Sequence, residues 1–310
     1  MEKNKIGVWC LFVICYLVLG ASASIAGTSS QTRFFYSGDG KIALQSVKTK
    51  TSFSGTYRNP DGTYKEDAIR KINRVFGSSE EAVSLRLVEF LDYLQDKFGP
   101  AKTLTIVSGY RSPEYNTRLR ENGALAGKAS LHQYGMATDF SMAGVSSKAI
   151  WEYVRDLKFG GAGFYHGKNI HIDVGPARWW DETSSKVGTD IADENKLIML
   201  VTDRDIYKPG ERITLGFARM TAWPIGVDPH FFLEHADGEQ AKKFIPFIED
   251  LNDNAVCHVF GDWRPMLKMP WQLPYELRPG RYKIRAKFCE KQWEAMPAEI
   301  ITNEFEITNE

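Results

Sequence analysis

SLHQYGMATDF, from Ser130 to Phe140, and GFYHGKNIHID, from Gly163 to Asp173, bring three of the six histidines of this chain within 40 residues of one another. Residues 136–140 and 169–174 are predicted to be neighbouring strands of a sheet, and His132 lies in the loop before the first of them. Because side chains alternate between the two faces of a strand, Asp139 and His171 can then point to the same face. The pattern predicts a site at which two strands and one loop meet.

The residue types in these stretches suit a metal ion. A catalytic zinc site uses three protein ligands, commonly imidazole and carboxylate groups, and keeps one position open for water. His132, Asp139 and His171 form such a set, and two imidazoles with one carboxylate favour Zn2+ over other divalent ions. The alternative is that each histidine is an ordinary hydrogen-bonded residue.

The segments around these stretches predict an α+β fold in which helices alternate with the strands of an antiparallel sheet. A helix is predicted over residues 65–76. A second is expected to begin at Ser78, with Glu81 at the capping-box spacing, and to end at Gly99-Pro100. A strand over residues 104–107 then precedes a short helix that starts at Ser112-Pro113, and residues 146–157 form a further helix.

The amino-acid composition and the hydrophobic pattern change after this region. Residues 181–195 are polar and are predicted to be a linker, and residues 196–310 alternate as short strands separated by turns, which is typical of a small β-sandwich of the immunoglobulin-like kind. Cys257 and Cys289 are expected to form a disulfide bond, the alternative being two separate buried thiols. The first domain is predicted to span residues 33–180.

The N-terminus has the layout of a secretory signal peptide, with Lys3 and Lys5 before an apolar run and small residues around Ala23. We expect cleavage after Ala23, a mobile leader over residues 24–32, and export to the periplasm; an uncleaved membrane anchor is the alternative. The loss of Lys3, Lys5 and Glu2 leaves 37 basic and 38 acidic side chains of the 39 of each in the full chain. Such a balance does not predict a nucleic-acid partner.

Three blocks, SGYRSPEYN from Ser108, SLHQYGMATDF and GFYHGKNIHIDVG, resemble the zinc D-alanyl-D-alanine metallopeptidases, and among these the MepK-like branch of murein endopeptidases. The resemblance covers roughly residues 33–180. It implies the small sheet-and-helix fold of Hedgehog-type domains, with His132, Asp139 and His171 as zinc ligands. It also implies that Arg111 binds a carboxylate or carbonyl oxygen of the substrate.

The chain departs from many relatives in the residue that would transfer protons. An acidic residue or histidine is expected two or three positions before the last ligand, where this chain has Asn169 and Lys168. We predict that His166 is the general base or a donor to the transition state, and that Asp173 orients a ligand or the substrate. The alternatives are a loop histidine without a role and a carboxylate in an ordinary salt bridge.

These features together predict an exported zinc enzyme that cuts peptide cross-links of peptidoglycan, using a water that the metal activates. The alternatives are a D,D-carboxypeptidase that trims stem peptides and a protein that binds peptidoglycan without cutting it. Trp179 and Trp180 either contact sugar rings or close a core. The C-terminal strands are expected to dock to the cell wall or to a protein partner, and the oligomeric state is left open.

Overall fold

The computed structural model of the chain describes residues 32–78, 83–124, 126–185, 189–238, 242–252, 255–289 and 292–309. The predicted signal peptide, its cleavage site and all of the predicted leader except Thr32 lie outside these residues. In the described part of the chain, no helix has both the length and the apolar character needed to cross a membrane.

The N-terminal sheet contains the seven strands β1 (Lys41–Ser46), β2 (Ser52–Thr56), β3 (Leu104–Ser108), β4 (Ala137–Met142), β5 (Gly161–Phe164), β6 (Ile170–Asp173) and β7 (Arg178–Asp181). Their order across the sheet is β2-β1-β3-β4-β6-β5-β7. The expectation of an antiparallel sheet is wrong for two pairs, because β1 lies parallel to β3 and β5 lies parallel to β7. Parallel neighbours need a long connection, and the chain between β1 and β3 includes β2 and two helices.

The helices that accompany this sheet are α1 (Glu66–Phe76), α2 (Leu85–Phe98), α3 (Pro113–Glu121) and α4 (Ser147–Leu157). With the strands they confirm the α+β class. The predicted start of α2 near Ser78 is wrong: the helix begins at Leu85, and Glu81 lies outside the described residues. The backbone N–H of Ser84 donates to Gly135 O over 3.0 Å, so the segment before α2 is held in a tertiary contact.

The core of this part lies between the sheet and the helices. Leu87, Leu91 and Leu94 of α2 belong to the same buried cluster as strand residues such as Phe140 and Ile172. Strands β4 and β6 pair antiparallel, with Asp139 opposite His171 and Ala137 opposite Asp173. A shift in register between Ile106 and Ser108 of β3 brings Ser108 opposite Asp139. The pairing therefore fixes the relative positions of two predicted ligands through backbone hydrogen bonds.

The C-terminal strands are β8 (Met199–Thr202), β9 (Ile206–Tyr207), β10 (Arg212–Ala218), β11 (Ile225–Val227), β12 (Phe231–His235), β13 (Lys242–Phe244), β14 (His258–Phe260), β15 (Met269–Gln272), β16 (Gly280–Lys287), β17 (Glu299–Ile301) and β18 (Phe305–Ile307). They form the sheets β15-β10-β8, β11-β14 and β13-β12-β16-β18-β9, with β17 beside β16.

The C-terminal strands enclose a second buried cluster, as their alternating pattern predicts. Ile213 and Leu215 of β10 and Ile284 of β16 lie in it. The predicted disulfide bond between Cys257 and Cys289 is confirmed, with an S–S distance of 2.08 Å. The predicted linker over residues 181–195 includes the end of β7 and a buried residue, Asn195, whose amide side chain bonds to Ala222 O.

Candidate metal centre

His132, Asp139 and His171 reach one point from three different elements. His132 lies in the 3₁₀ turn Leu131–Tyr134, which ends at Gly135 with a left-handed φ of 62°. Asp139 lies on β4, and His171 lies opposite it on β6. The three residues are 2%, 8% and 7% exposed, so the group is nearly closed to solvent.

The donor atoms of these side chains converge. His132 Nε2 lies 3.3 Å from His171 Nδ1 and 3.6 Å from Asp139 Oδ2, and His171 Nδ1 lies 3.0 Å from Asp139 Oδ1. Two ligand atoms bound to one tetrahedral zinc ion at about 2.0–2.1 Å are themselves about 3.3 Å apart. The spacing therefore fits three ligands of a single metal ion.

The outer nitrogen of each imidazole is held by a hydrogen-bond acceptor. His132 Nδ1 lies 2.7 Å from Gly109 O, and His171 Nε2 lies 2.9 Å from Asp173 Oδ2. Because a carbonyl or carboxylate oxygen accepts, these outer nitrogens carry hydrogens. In the metal-binding form the facing nitrogens carry lone pairs, so a metal ion replaces the proton through which His171 Nδ1 contacts Asp139 Oδ1. Two imidazoles and a carboxylate that face one point suit a cation, and such outer bonds are typical of metal-binding histidines.

Gly109 is needed for this geometry. A Cβ at this position would lie 2.4 Å from Phe76 O, closer than atoms of these types approach. The adjacent amide of Tyr110 also donates to Phe76 O over 2.8 Å, which fixes the backbone where Gly109 accepts from His132. Close packing against Phe76 therefore explains why the Ser-Gly-Tyr-Arg block has a glycine at this position.

Burial and neighbouring charged groups shift the pKa values of the three side chains in opposite directions. Burial lowers the pKa of His132, which favours its neutral form. Burial alone would raise the pKa of Asp139, but His132 and His171 outweigh it and hold that pKa well below its usual range. For His171, the hydrogen bonds to Asp139 and Asp173 outweigh burial and raise the pKa. A metal ion at this point would compete with the proton of His171.

Asp173 lies beneath His171 as a fully buried carboxylate. Arg178 donates to both of its oxygens, at 3.0 and 2.6 Å, and the backbone N–H of Gly175 donates at 2.9 Å. Burial would raise the pKa of Asp173, but Arg178 and His171 outweigh it and lower the pKa. The carboxylate is therefore ionised while it holds His171, which is the arrangement that the predicted orienting role requires.

Arg111 lies against Asp139, the carboxylate of the group. Its Nη2 lies 3.0 Å from Asp139 Oδ2, its Nε donates to Ser108 Oγ over 3.0 Å, and its backbone N–H donates to His132 O. Ser112, the next residue, caps α3 by accepting from the N–H of Tyr115. The bonds to Ser108 and Asp139 hold the guanidinium of Arg111, and the cap fixes the start of the helix that follows it.

His166 is not brought into this group. It is exposed, has a left-handed φ of 53°, and packs its ring 4.6 Å from the ring of Phe164. It lies in the short connection between β5 and β6, five residues before His171. Its role in proton transfer stays a prediction.

Tyr165 and Trp180 border the centre; Tyr165 was missed from the sequence, whereas Trp180 was named only as a contact to sugar rings or a core residue. The Tyr165 hydroxyl donates to Asp139 Oδ1 over 3.1 Å, and its side chain is 37% exposed. The Trp180 ring lies 4.9 Å from that of His171, whereas Trp179 is 51% exposed. On β7, Arg178 and Trp180 are two residues apart and therefore lie on the same face of the strand. This alternation could have been recognised in the sequence.

Comparison with known proteins gives one consistent family. The model of the family described as peptidoglycan L,D-endopeptidase MepK matches residues 37–180. Peptidoglycan L,D-endopeptidase MepK of Escherichia coli K12 is 31% identical over 144 residues, which are 45% of this chain and 79% of that protein, and the Shigella flexneri protein gives the same values. A probable peptidoglycan L,D-endopeptidase MepK of Haemophilus influenzae is 37% identical over 78 residues, 25% of this chain and 42% of that protein.

Proposed function

This chain belongs to the family of the peptidoglycan L,D-endopeptidase MepK, and on that premise we propose that its metal centre hydrolyses L,D peptide bonds of peptidoglycan. The chain is a peptidase of the cell-wall polymer. The observation that supports this site is the convergence of His132, Asp139 and His171, with both outer imidazole nitrogens held by acceptors. The three residues lie inside the matched segment.

Zinc is the ion that we assign to this centre, with His132, Asp139 and His171 as its ligands. When bound, zinc supplies a Lewis acid that lowers the pKa of a water molecule to about 7 and polarises a carbonyl group. The chain's own part is to hold the ligands in their binding form. Gly109 fixes the tautomer of His132, and Asp173 fixes that of His171.

Arg111 is proposed to bind the oxygen of the scissile carbonyl or a substrate carboxylate. A guanidinium has five N–H donors, and only part of them is used by Ser108 and Asp139. The remaining donors can stabilise the negative charge that develops on the carbonyl oxygen. The closeness of Arg111 to a ligand supports this role.

His166 is proposed to move the proton between the attacking water and the leaving amine. Its place in the connection between β5 and β6 puts it near the end of the strand that carries His171. Its exposure leaves the imidazole accessible to substrate and solvent. The preceding residue, Tyr165, donates from its hydroxyl to Asp139 and so connects this loop to the ligand group.

We also propose the finer organisation of the chain. Residues 33–180 would form a domain of the Hedgehog and D-alanyl-D-alanine peptidase type, 181–195 a linker, and 196–310 an immunoglobulin-like sandwich that docks to the cell wall or a protein. The mixed sheet with four described helices supports the first assignment, and the disulfide bond, which suits an oxidising compartment, supports export. Removal of residues 1–23 would release the enzyme into the periplasm.

The test uses purified cross-linked muropeptides of defined structure and mass spectrometry of the products. An L,D-endopeptidase separates the two stems of a cross-link at a bond between an L and a D centre. A D,D-carboxypeptidase instead removes one terminal residue from a single stem, and a binding protein releases nothing. Only the first product pattern supports the proposal.

A further inference from the structure

Two contacts from the C-terminal strands flank the turn that carries His132. The Met220 backbone N–H donates to the Tyr134 hydroxyl over 3.1 Å, and Arg219 Nε donates to Ala129 O over 3.2 Å. Ala129 lies three residues before His132, and Tyr134 lies two residues after it. Residues 219 and 220, which directly follow β10, therefore hold the turn at both ends.

The Tyr134 side chain links the two hydrophobic cores as well. It packs against the buried cluster of the N-terminal sheet and against that of the C-terminal strands. Met199 and Val201 of β8 also pack on the N-terminal core. The junction is a packed interface beside the metal centre.

A buried ion pair makes a second connection, close to His171. Arg86 of α2 donates from Nε to Asp205 Oδ1 over 2.7 Å and from Nη1 to Val174 O over 2.9 Å. Asp205 is fully buried, and Arg86 is 5% exposed. Val174 lies three residues after His171, directly after β6. The C-terminal region is thus connected to the turn that carries His132 and, through Arg86, to the end of the strand that carries His171.

Arg219 has a backbone conformation that arginine rarely adopts. Its φ is 61°, in the left-handed region that favours glycine and asparagine. A residue with a side chain keeps such a conformation where its surroundings impose it. Here the conformation directs the side chain to Ala129 and the next N–H to Tyr134.

We infer that the C-terminal strands position the metal ligands, with Arg219 and Tyr134 as the positioning residues. The inference rests on the proposed metal centre and deepens it. The segment matched by the family ends at residue 180, so these contacts come from outside it. The C-terminal region is then a structural part of the catalytic unit, whatever else it binds.

The test uses the full-length protein with Tyr134→Phe, which keeps the ring, and Arg219→Asn, which tolerates the left-handed backbone. Arg285→Gln is the matched control, because it breaks an ion pair with Glu234 between two C-terminal strands. In metal-free protein, hydrogen exchange is followed at the amides of Gly135 and Met136, which donate to His132 O and Leu131 O. Zinc affinity and the absorption spectrum of cobalt-substituted protein are measured in parallel.

We expect exchange at these amides to be about ten-fold faster in the two variants than in the control. Zinc affinity should fall about ten-fold, with a changed cobalt spectrum. Exchange and affinity equal to those of the wild type, or equal changes in Arg285→Gln, would overturn the inference. If the wild type binds no zinc, the proposed function fails, and the exchange rates alone decide whether the strands hold the turn.

Discussion

His171 Nε2 and Asp173 Oδ2 lie 2.9 Å apart on the same face of β6, two residues from each other. The carboxylate fixes the imidazole so that Nδ1 faces Asp139 and His132. Asp173→Asn removes the charge and should lower zinc affinity about 10- to 100-fold. Competition with a chromogenic chelator measures the affinity, and Asp156→Asn on the surface is the control. Unchanged zinc affinity in Asp173→Asn would remove this role.

His132 is buried in the ligand group and His166 is exposed outside it, so their substitution should affect zinc binding differently. His132→Ala should lose zinc and hydrolysis together, because it removes one of three ligands. His166→Ala should keep one zinc per chain and lose rate by about 10²- to 10⁴-fold, the usual contribution of a general acid or base. Metal content by mass spectrometry and the rate of muropeptide cleavage check both. Zinc loss in His166→Ala would make that residue a ligand.

Arg111→Ala should separate metal binding from catalysis. Its guanidinium contacts Asp139 but is not among the three converging ligands. The variant should retain zinc while its turnover falls about 10²- to 10³-fold, the usual loss for a donor to a developing oxyanion. Arg118→Ala, on the exposed face of α3, is the control and should behave as the wild type. A variant that cleaves normally would exclude Arg111 from the reaction.

Asp92 should make stability depend on pH. Burial raises the pKa of Asp92 and outweighs the hydrogen bonds from Tyr57 and Gly40, which lower it. The resulting pKa is about 7. Because the folded pKa lies above the unfolded value of 3.8, the protonated carboxyl stabilises the fold at low pH, and this contribution is lost as the pH rises through 7. Relative to wild type, Asp92→Asn should gain about 2–3 kcal/mol in unfolding free energy between pH 5 and pH 8. Urea unfolding at both pH values tests this, and a constant difference would contradict it.

Helices and strands that depend on local sequence patterns could be predicted from the sequence. The periodicity around Leu87 and Leu91, the cap at Ser112 and the alternation in β10 and β16 predict helices and strands that the structure contains. These features depend on residues close together in the chain. The sequence also predicted that His132, Asp139 and His171 come together, and they do because β4 and β6 are short neighbouring strands; their role as metal ligands stays a prediction.

Features that depend on distant contacts were not predictable in the same way. The start of α2 is set partly by the bond from Ser84 to Gly135, 51 residues away, which no local capping signal reveals. The parallel pairing of β1 with β3 depends on where a long connection returns the chain. Tyr165 reaches Asp139 only because β5 and β4 both pair with β6.

The central claim is that His132, Asp139 and His171 hold a zinc ion that is needed to cleave peptidoglycan. The most direct measurement is digestion of intact sacculi by the purified protein, first with a chelator and then after one equivalent of zinc is restored, with released muropeptides identified by mass spectrometry. The account predicts L,D-cleaved products that disappear with the chelator and return with zinc, but do not return in His132→Ala. Products that persist without metal, or that His132→Ala still releases with zinc, would contradict it.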